Sequence, residues 1–367
     1  MNSSAHITLS GAPEGFDARA LARELEKGAP VIHVARDDKR LEAMRAALAF
    51  FAPGATVLTF PAWDCLPYDR VSPNPDISAM RMATLAALAR GVPGPFILLT
   101  TLNAATQRLP ARDTVAGAAF TAKVGGRVDE GALKSYLVRM GFSQTPTVSE
   151  PGDYAVRGGI IDIYPPGQGG PVRLDLFGDV LDGARRFDPA SQRTVEKLAA
   201  VELAPVSEII LDDAAITRFR QNYRIEFGAA GTDDPLYEAV SAGRKHAGME
   251  HWLPYFHDRL ETLFDYLPGA SVMLDDQTTP ARLSRWEGIE DQYDTRAEAL
   301  KRKDRLDSVY KPCPPGLLYL DDAAWMAGLR GIARCSLWRF RSRPDRGFWM
   351  RAGGSGAILR RNVNWKI

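Results

Sequence analysis

The chain is 367 residues long, 45% hydrophobic and 25% charged, a composition that buries two or three compact cores. No run approaches the roughly 18 apolar residues that span a bilayer, and Met1 to Ser10 lacks the basic-then-apolar order of a secretory signal, so a cytoplasmic monomer is expected rather than a membrane protein. Cys65, Cys313 and Cys335 are scattered, and the five histidines form neither HExxH nor an i, i+4 pair, which argues against a metal site, a redox pair or any cofactor.

The first segment alternates strand and helix. Ile7 to Ser10 predicts a strand, Gly11 to Gly15 a loop, and Asp17 to Lys27 a helix with Ala18, Leu21, Ala22 and Leu25 on one face and Gly28 ending it. A strand at Pro30 to Ala35, a helix from Asp37 with Leu41, Met44 and Leu48 as its apolar stripe, and a strand at Ala55 to Phe60 follow. Asp76 then caps a helix carrying Ile77, Met80, Thr84 and Leu88, ahead of a strand at Phe96 to Thr100. Such alternation predicts a parallel α/β sheet.

The opening strand, glycine loop and helix have the layout of a phosphate-binding loop without its chemistry. That loop needs a lysine for the β- and γ-phosphates and a hydroxyl for Mg²⁺. Gly11 to Asp17 has neither, no lysine comes before Lys27, and Glu14 and Asp17 repel phosphate. Gly11 and Gly15 therefore read as a turn, with no nucleotide site and no catalytic residue.

Near Lys123 the pattern changes. After a helix at Asp129 to Met140, Asp153 to Tyr164 reads as one strand, Pro165 to Gly170 as a turn and Pro171 to Phe177 as a second strand, together a β-hairpin. Side chains alternate along a strand, so Val172, Leu174 and Leu176 face one way and Arg173, Asp175 and Phe177 the other. A phenylalanine beside arginine on a charged face has the composition of an interface hot spot. In the alternative, a second layer covers Phe177 and the arginines pair with Asp175, Asp179 or Asp162. The pattern alone does not choose between them.

From Ser207 mixed α/β character resumes. The expected elements are a strand at Glu208 to Leu211, a helix through Ile216 to Tyr223, a strand at Ser271 to Asp275, a solvent-facing helix from Thr279 to Arg305, and a strand at Leu317 to Leu320 that closes the sheet. Glu250, His251 and Trp252, within Gly248 to Pro254, have no nucleophile or orienting acid at a recognisable spacing and read as a packed corner.

Several stretches together resemble the bacterial transcription-repair coupling factor (Mfd) family in its N-terminal part. They are Phe60 to Arg70 (FPAWDCLPYDR), Asp76 to Leu85 (DISAMRMATL), Tyr154 to Tyr164 (YAVRGGIIDIY), Arg185 to Pro189 with Ser191 to Arg193, and Gly248 to Pro254 (GMEHWLP). The resemblance runs from about Ile7 to Trp325. It implies a UvrB-like, degenerate P-loop NTPase (RecA-like) parallel-sheet domain in two segments, 1–122 and 206–330. A smaller α+β UvrA-binding domain is inserted at 123–205. In the family the UvrA contact uses two arginines and a phenylalanine, which match Arg157, Arg173 and Phe177. The implied function is docking UvrA to link stalled transcription to nucleotide excision repair; the alternative is a UvrB-like ATPase or helicase fragment acting on damaged DNA. The domains through which the family reaches RNA polymerase and double-stranded DNA, and the one that covers the UvrA face, are expected to be missing, so this chain alone is not expected to be an enzyme.

The stretch from 331 to 367 is expected to be a disordered basic tail. Ten basic residues against Asp345 lie from Arg330 onward, which puts +9 there and, against a net charge of +1, −8 elsewhere. The resemblance stops near Arg334, and Cys335 to Ile367 has neither helical nor strand periodicity. Trp349 and Met350 have unique codons, TGG and ATG, and reading one nucleotide earlier gives aspartate. Continued in that frame, codons through Lys366 can spell a segment with a Gly-Gly-Arg turn followed by Phe-Ala-Pro-Glu-Arg, as in the family. A frameshift that created the tail is the expectation, and gene codons at Arg351 to Asn364 that fail to spell that segment would refute it. A DNA-binding arm is the rival, marked by affinity that falls steeply with salt.

Overall fold

The computed structural model describes residues 6–10, 15–228, 234–301, 310–338, 349–352 and 358–359. The Gly11 end of the expected phosphate loop lies outside them. Strand β1 (His6–Ser10) leads through Gly15, in the left-handed region at φ 80°, to α1 (Phe16–Leu25). Next come β2 (Val31–Ala35), α2 (Asp38–Phe51) and β3 (Thr56–Phe60). The Asp37 carboxylate caps α2 by accepting from the Arg40 backbone N–H, which satisfies an orphan donor of the first turn. The cap of α3 (Pro75–Arg90) is Asn74, two residues before the expected cap Asp76, because Pro75 takes the first helical position and Asn74 accepts from the Asp76 backbone N–H. After β4 (Phe96–Thr101) the chain makes short pieces: α4 (Leu102–Ala105), β5 (Leu109–Pro110) and α5 (Arg112–Gly117).

The inserted unit begins with β6 (Phe120–Lys123), α6 (Glu130–Arg139) and β7 (Ser143–Gln144). A meander follows: β8 (Asp153–Arg157), β9 (Ile160–Ile163), β10 (Val172–Phe177), β11 (Val180–Phe187) and β12 (Thr194–Leu198). Then β13 (Ala200–Leu203) pairs antiparallel with β6, so entry and exit of the insertion run side by side. The expected single strand Asp153–Tyr164 is thus two strands. Gly158 turns at φ 61°, and a Cβ on Gly159 would stand 2.6 Å from the Leu176 carbonyl oxygen, so the chain folds back where only glycine fits.

The second segment carries α7 (Asp213–Phe227), α8 (Pro235–Ser241), a 3₁₀ turn (Met249–Trp252), α9 (Leu253–Phe256), β14 (Leu260–Glu261) and α10 (Leu263–Tyr266). It ends with β15 (Ser271–Leu274), α11 (Thr278–Lys301), α12 (Pro315–Leu318), α13 (Asp322–Gly328), β16 (Arg334–Trp338), β17 (Trp349–Ala352) and β18 (Ile358–Leu359).

Four expectations are corrected here. Glu208 to Leu211 is no strand, because Glu208 turns inward to a buried ion pair instead of joining a ladder. Leu317 to Leu320 is no strand either: Pro315 at the first helical position starts α12, and β16 takes the place in the sheet. The helix α11 is not wholly solvent-facing, since Thr278, Arg282 and Ile289 are buried. Nor does the basic tail lack strands: β16, β17 and β18 all join the main sheet, because β1 offers both of its edges.

The main sheet has the order β18-β17-β1-β16-β15-β2-β4-β3, parallel from β1 to β3 with an antiparallel edge. Strands of both segments therefore interdigitate in one sheet. Ile32, Val34 and Leu98 face a core with Leu85, Leu263 and Phe264, while Val31, Ile97 and Leu99 face α1 and α2 through Leu21, Met44 and Leu48. A strand buried on both faces reads as a continuous apolar run, which is why β4 is FILLTT.

The two most distinctive stretches of the body meet each other. Trp63 packs edge-on to His251 with ring centroids 5.8 Å apart, and the Ser72 hydroxyl donates to Glu250 at 2.7 Å. Gly248, at φ 77°, lies against the Arg70 backbone, which a Cβ would approach to 3.0 Å. Beneath them Arg81, fully buried on α3, donates from Nε to Glu208 at 2.6 Å and from Nη1 to the Pro61 carbonyl at 2.7 Å, and Trp63 Nε1 donates to the same carboxylate at 2.9 Å. This is the packed corner expected from Gly248 to Pro254, extended by a charge pair.

Two buried histidines make stability depend on pH. Burial lowers both His33 and His251 to about 4, the first against the pull of Asp275 and Asp17 and the second against that of Asp69. In the unfolded chain they return to about 6.5 and bind protons first. Their contribution is therefore complete above pH 6.5 and is lost as pH falls toward 4, at up to about 1.4 kcal/mol per pH unit for each. Urea midpoints measured from pH 7 to 4.5 should fall less steeply for His33→Leu than for the wild type; equal slopes would refute the assignment.

Candidate functional site

The inserted unit is a six-stranded sheet, β12-β11-β10-β9-β8-β7, with one face packed under α6. Tyr154, Ile161, Ile163, Val172, Leu174 and Leu181 point inward to Leu133, Tyr136 and Leu137. The alternation expected for Val172, Leu174 and Leu176 holds. One extra residue in β11, Asp182, is taken up between the pairs Asp175 with Gly183 and Leu176 with Leu181.

The other face holds the three sequence-predicted site residues. Cross-strand partners form one row of Ala155, Asp162, Arg173, Arg185 and Lys197, and a second row of Arg157, Ile160, Asp175 and Gly183. Phe177 opposes Val180 one row further on. Neighbouring strands lie about 4.8 Å apart and residues rise about 3.3 Å, so the three span roughly 15 Å at one end of this face.

Their environments differ. Phe177 is 82% exposed, and its neighbour Ile160 is 37% exposed, so no second layer covers the phenylalanine among the described residues. Arg157 is exposed, with Nη2 donating to the Pro146 carbonyl at 2.7 Å and to the Thr147 hydroxyl at 3.2 Å. Arg173 is half-buried. Its Nε and Nη2 fork onto the two oxygens of buried Asp162 at 2.7 and 2.8 Å, Nη2 also reaches Gln192 Oε1 at 3.2 Å, and the guanidinium lies over Phe187 at 4.7 Å. The hydrogen bonds donated to Asp162 lift the Arg173 guanidinium above its ordinary value against the cost of burial. Of the covered alternative, the ion pair is present, since Arg173 pairs with Asp162, but the second layer is not: Phe177 stays bare among the described residues.

Periodicity missed Phe187 and Gln192 and left Asp162 as one of three candidate partners. Faces were legible from alternation, but which residues stand opposite one another depends on register, and the turn at Gly158 shifts it. The Asp-Ile-Tyr end of the Tyr154 to Tyr164 stretch was the available signal, since an aspartate inside an apolar strand needs a partner.

At the carboxyl ends of the parallel strands, where α/β sheets bind ligands, the structure places a second polar cluster. Arg40 donates from Nη2 to Asp17 at 2.7 Å and from Nε to Asp275 at 3.0 Å, with both carboxylates buried. Burial works against its charge, but the bonds to Asp275 and Asp17 hold Arg40 above the usual arginine range. Two acids beside the α1 N-terminus, neutralised by a side chain of the protein itself, oppose a bound phosphate. Among the described residues no group of His, Cys, Asp and Glu could hold a metal ion, and no helix is long and apolar enough to cross a membrane.

Comparison with known proteins bears on both clusters. The family model described as the UvrB interaction domain matches residues 120–209, which contain the core under α6 and the whole face with Phe177. Transcription-repair-coupling factors are similar over most of the chain: that of Escherichia coli is 32% identical over 315 residues, 85% of this chain and 27% of the relative. The Haemophilus influenzae factor is 31% identical over 293 residues (79% of this chain, 25% of the relative). That of Myxococcus xanthus is 36% identical over 301 residues (77% and 25%). The chain thus spans about a quarter of the length of the curated relatives it matches.

Proposed function

We propose, on the premise that this chain carries the N-terminal region of the transcription-repair-coupling factor family, that its inserted domain, residues 123–205, docks UvrA through Arg157, Arg173 and Phe177. The observation that carries the reading is Phe177, a large apolar side chain left 82% exposed beside arginines within the matched domain. A bare phenylalanine costs hydration until a partner covers it, and aromatic and arginine side chains dominate binding energy at interfaces. Arginine supplies forked hydrogen bonds to carboxylates, so the fitting partner surface is an apolar cleft with acidic residues around it. Capture of UvrA by the wild-type chain but not by Phe177→Ala tests this, and equal capture by both would count against it.

In the same reading the docked UvrA links stalled transcription to excision repair, with RNA polymerase and double-stranded DNA reached through other parts of the full-length relatives. The body is taken as a P-loop NTPase-type (RecA-like) sheet related to UvrB, in segments 1–122 and 206–330, whose phosphate position has passed to Arg40. Isothermal titration with Mg-ATP should give no binding heat up to millimolar nucleotide, and steady turnover would instead support a UvrB-like ATPase acting on damaged DNA. Substituting Arg40→Ala should not restore binding, because Asp17 and Asp275 then stand unneutralised.

A further inference from the structure

We propose that Asp162 is a positioning residue of the docking face, a role that rests on the reading above and that acts through Arg173. Its carboxylate is 2% exposed and therefore out of a partner's reach, yet it holds two of the five guanidinium donors of Arg173. The remaining nitrogen, Nη1, makes no hydrogen bond among the described residues, and the side chain keeps about a fifth of its surface open. A partner carboxylate meets that outer edge, while Asp162 fixes its direction.

Three further features make this a built arrangement. First, the Phe187 ring lies under the guanidinium at 4.7 Å and belongs to a small apolar cluster on this face with Val148 and Ala155, so the arginine is clamped from below as well as from the side. Second, Gln192 receives a bond from Nη2 while standing at φ 59°, a left-handed conformation that glutamine rarely adopts. Its backbone N–H donates to Asp188 and its amide to the Pro189 carbonyl, so the turn between β11 and β12 is closed onto Arg173. Third, Arg173, Arg185 and Lys197 are successive cross-strand neighbours, and like charges directly opposite repel. Asp162 at one side of the row and Asp175, which accepts from Arg185, are what allow three cations to stand together. An arginine held this way loses little further freedom when a partner binds.

Two consequences separate positioning from mere packing. Neutralising the carboxylate as Asp162→Asn keeps its size but breaks the two-point fork, since an amide offers one acceptor oxygen and turns a donor toward the guanidinium. The loss should therefore resemble that of Arg173 itself and disappear once Arg173 is gone. The experiment measures UvrA affinity, by surface plasmon resonance on the full chain, for the wild type and for Asp162→Asn, Arg173→Ala, their double substitution, and Phe177→Ala. Asp162→Asn is expected to weaken binding roughly tenfold or more, and the double variant to be no weaker than Arg173→Ala alone. Wild-type affinity in Asp162→Asn, or losses that simply multiply in the double variant, would overturn the proposal. Circular dichroism and the thermal midpoint of each variant accompany the measurement, and a collapsed Asp162→Asn is replaced by Arg173→Lys, which keeps charge and loses the fork. That variant is expected to bind like Arg173→Ala; wild-type affinity would count against the proposal. Full binding by Phe177→Ala would instead sink the docking face itself, leaving the two failures distinguishable.

Discussion

Replacing Phe177 by alanine is expected to weaken UvrA binding by on the order of 2 to 4 kcal/mol, some thirtyfold to a thousandfold, while leaving the thermal midpoint unchanged. The two halves of that expectation come from one observation. At 82% exposure the ring contributes almost nothing to the core under α6, so its removal leaves folding intact. On docking the same ring is the largest apolar surface the face can bury. Arg157→Ala should cost less, about 1 to 2 kcal/mol, because its exposed guanidinium already spends one nitrogen on Pro146 and Thr147. The Arg157 loss should shrink as salt rises, whereas the Phe177 loss should hold. Pull-down of UvrA by wild type and Phe177→Ala alike would remove the phenylalanine from the site.

Glu208→Ala should be the most damaging single change in the body. Arg81 is fully buried, and Glu208 is its only anionic partner among the described residues. Removing the acid strands a guanidinium that cannot leave its site, with Trp63 Nε1 losing its acceptor as well. Breaking a buried pair from one side typically costs about 3 to 5 kcal/mol. Glu208→Gln, which can still accept from Arg81, should cost less, and Arg81→Met together with Glu208→Leu should recover much of the loss by replacing both charges with apolar volume. Urea unfolding followed by tryptophan fluorescence reads all three, and a loss below about 1 kcal/mol in Glu208→Ala would mean that solvent reaches the pair.

How much of this was legible in the residues depends on distance along the chain. Helix α2 follows from its apolar stripe and capping residue, α6 close to its expected bounds, and the core strands β2 and β4 from short apolar runs, whereas for α3 the expected cap Asp76 was two residues late and Met80 lies exposed. Arg81 shares a helix face with Ile77, Leu85 and Leu88 on the buried side of α3, yet the sequence pattern did not single it out, and nothing local names Glu208, which lies more than a hundred residues away. Leu317 to Leu320 shows the opposite limit: an apolar run fits a strand or a buried turn of helix, and Pro315 decided for the helix. In the proposed docking face, alternation put Arg173 and Phe177 together, and the family resemblance added Arg157. The fork to Asp162 needed the register of β9 against β10, which chose Asp162 over Asp175 and Asp179 as the partner that braces Arg173 from within.

The interleaving of the main sheet sets an order of assembly. Strand β15 lies between β2 and β16, so the early strands β2, β4 and β3 can pair with one another, but the outer edge of β2 has no partner until residue 274 has left the ribosome. The inserted unit has its own core and is complete by Leu203, so it can fold first. Once β6 and β13 pair, they tie off nearly half of the chain between β4 and β15. Halving a loop lowers the entropic cost of closing it by about 0.6 kcal/mol, so the guest, folded early, helps its host to close.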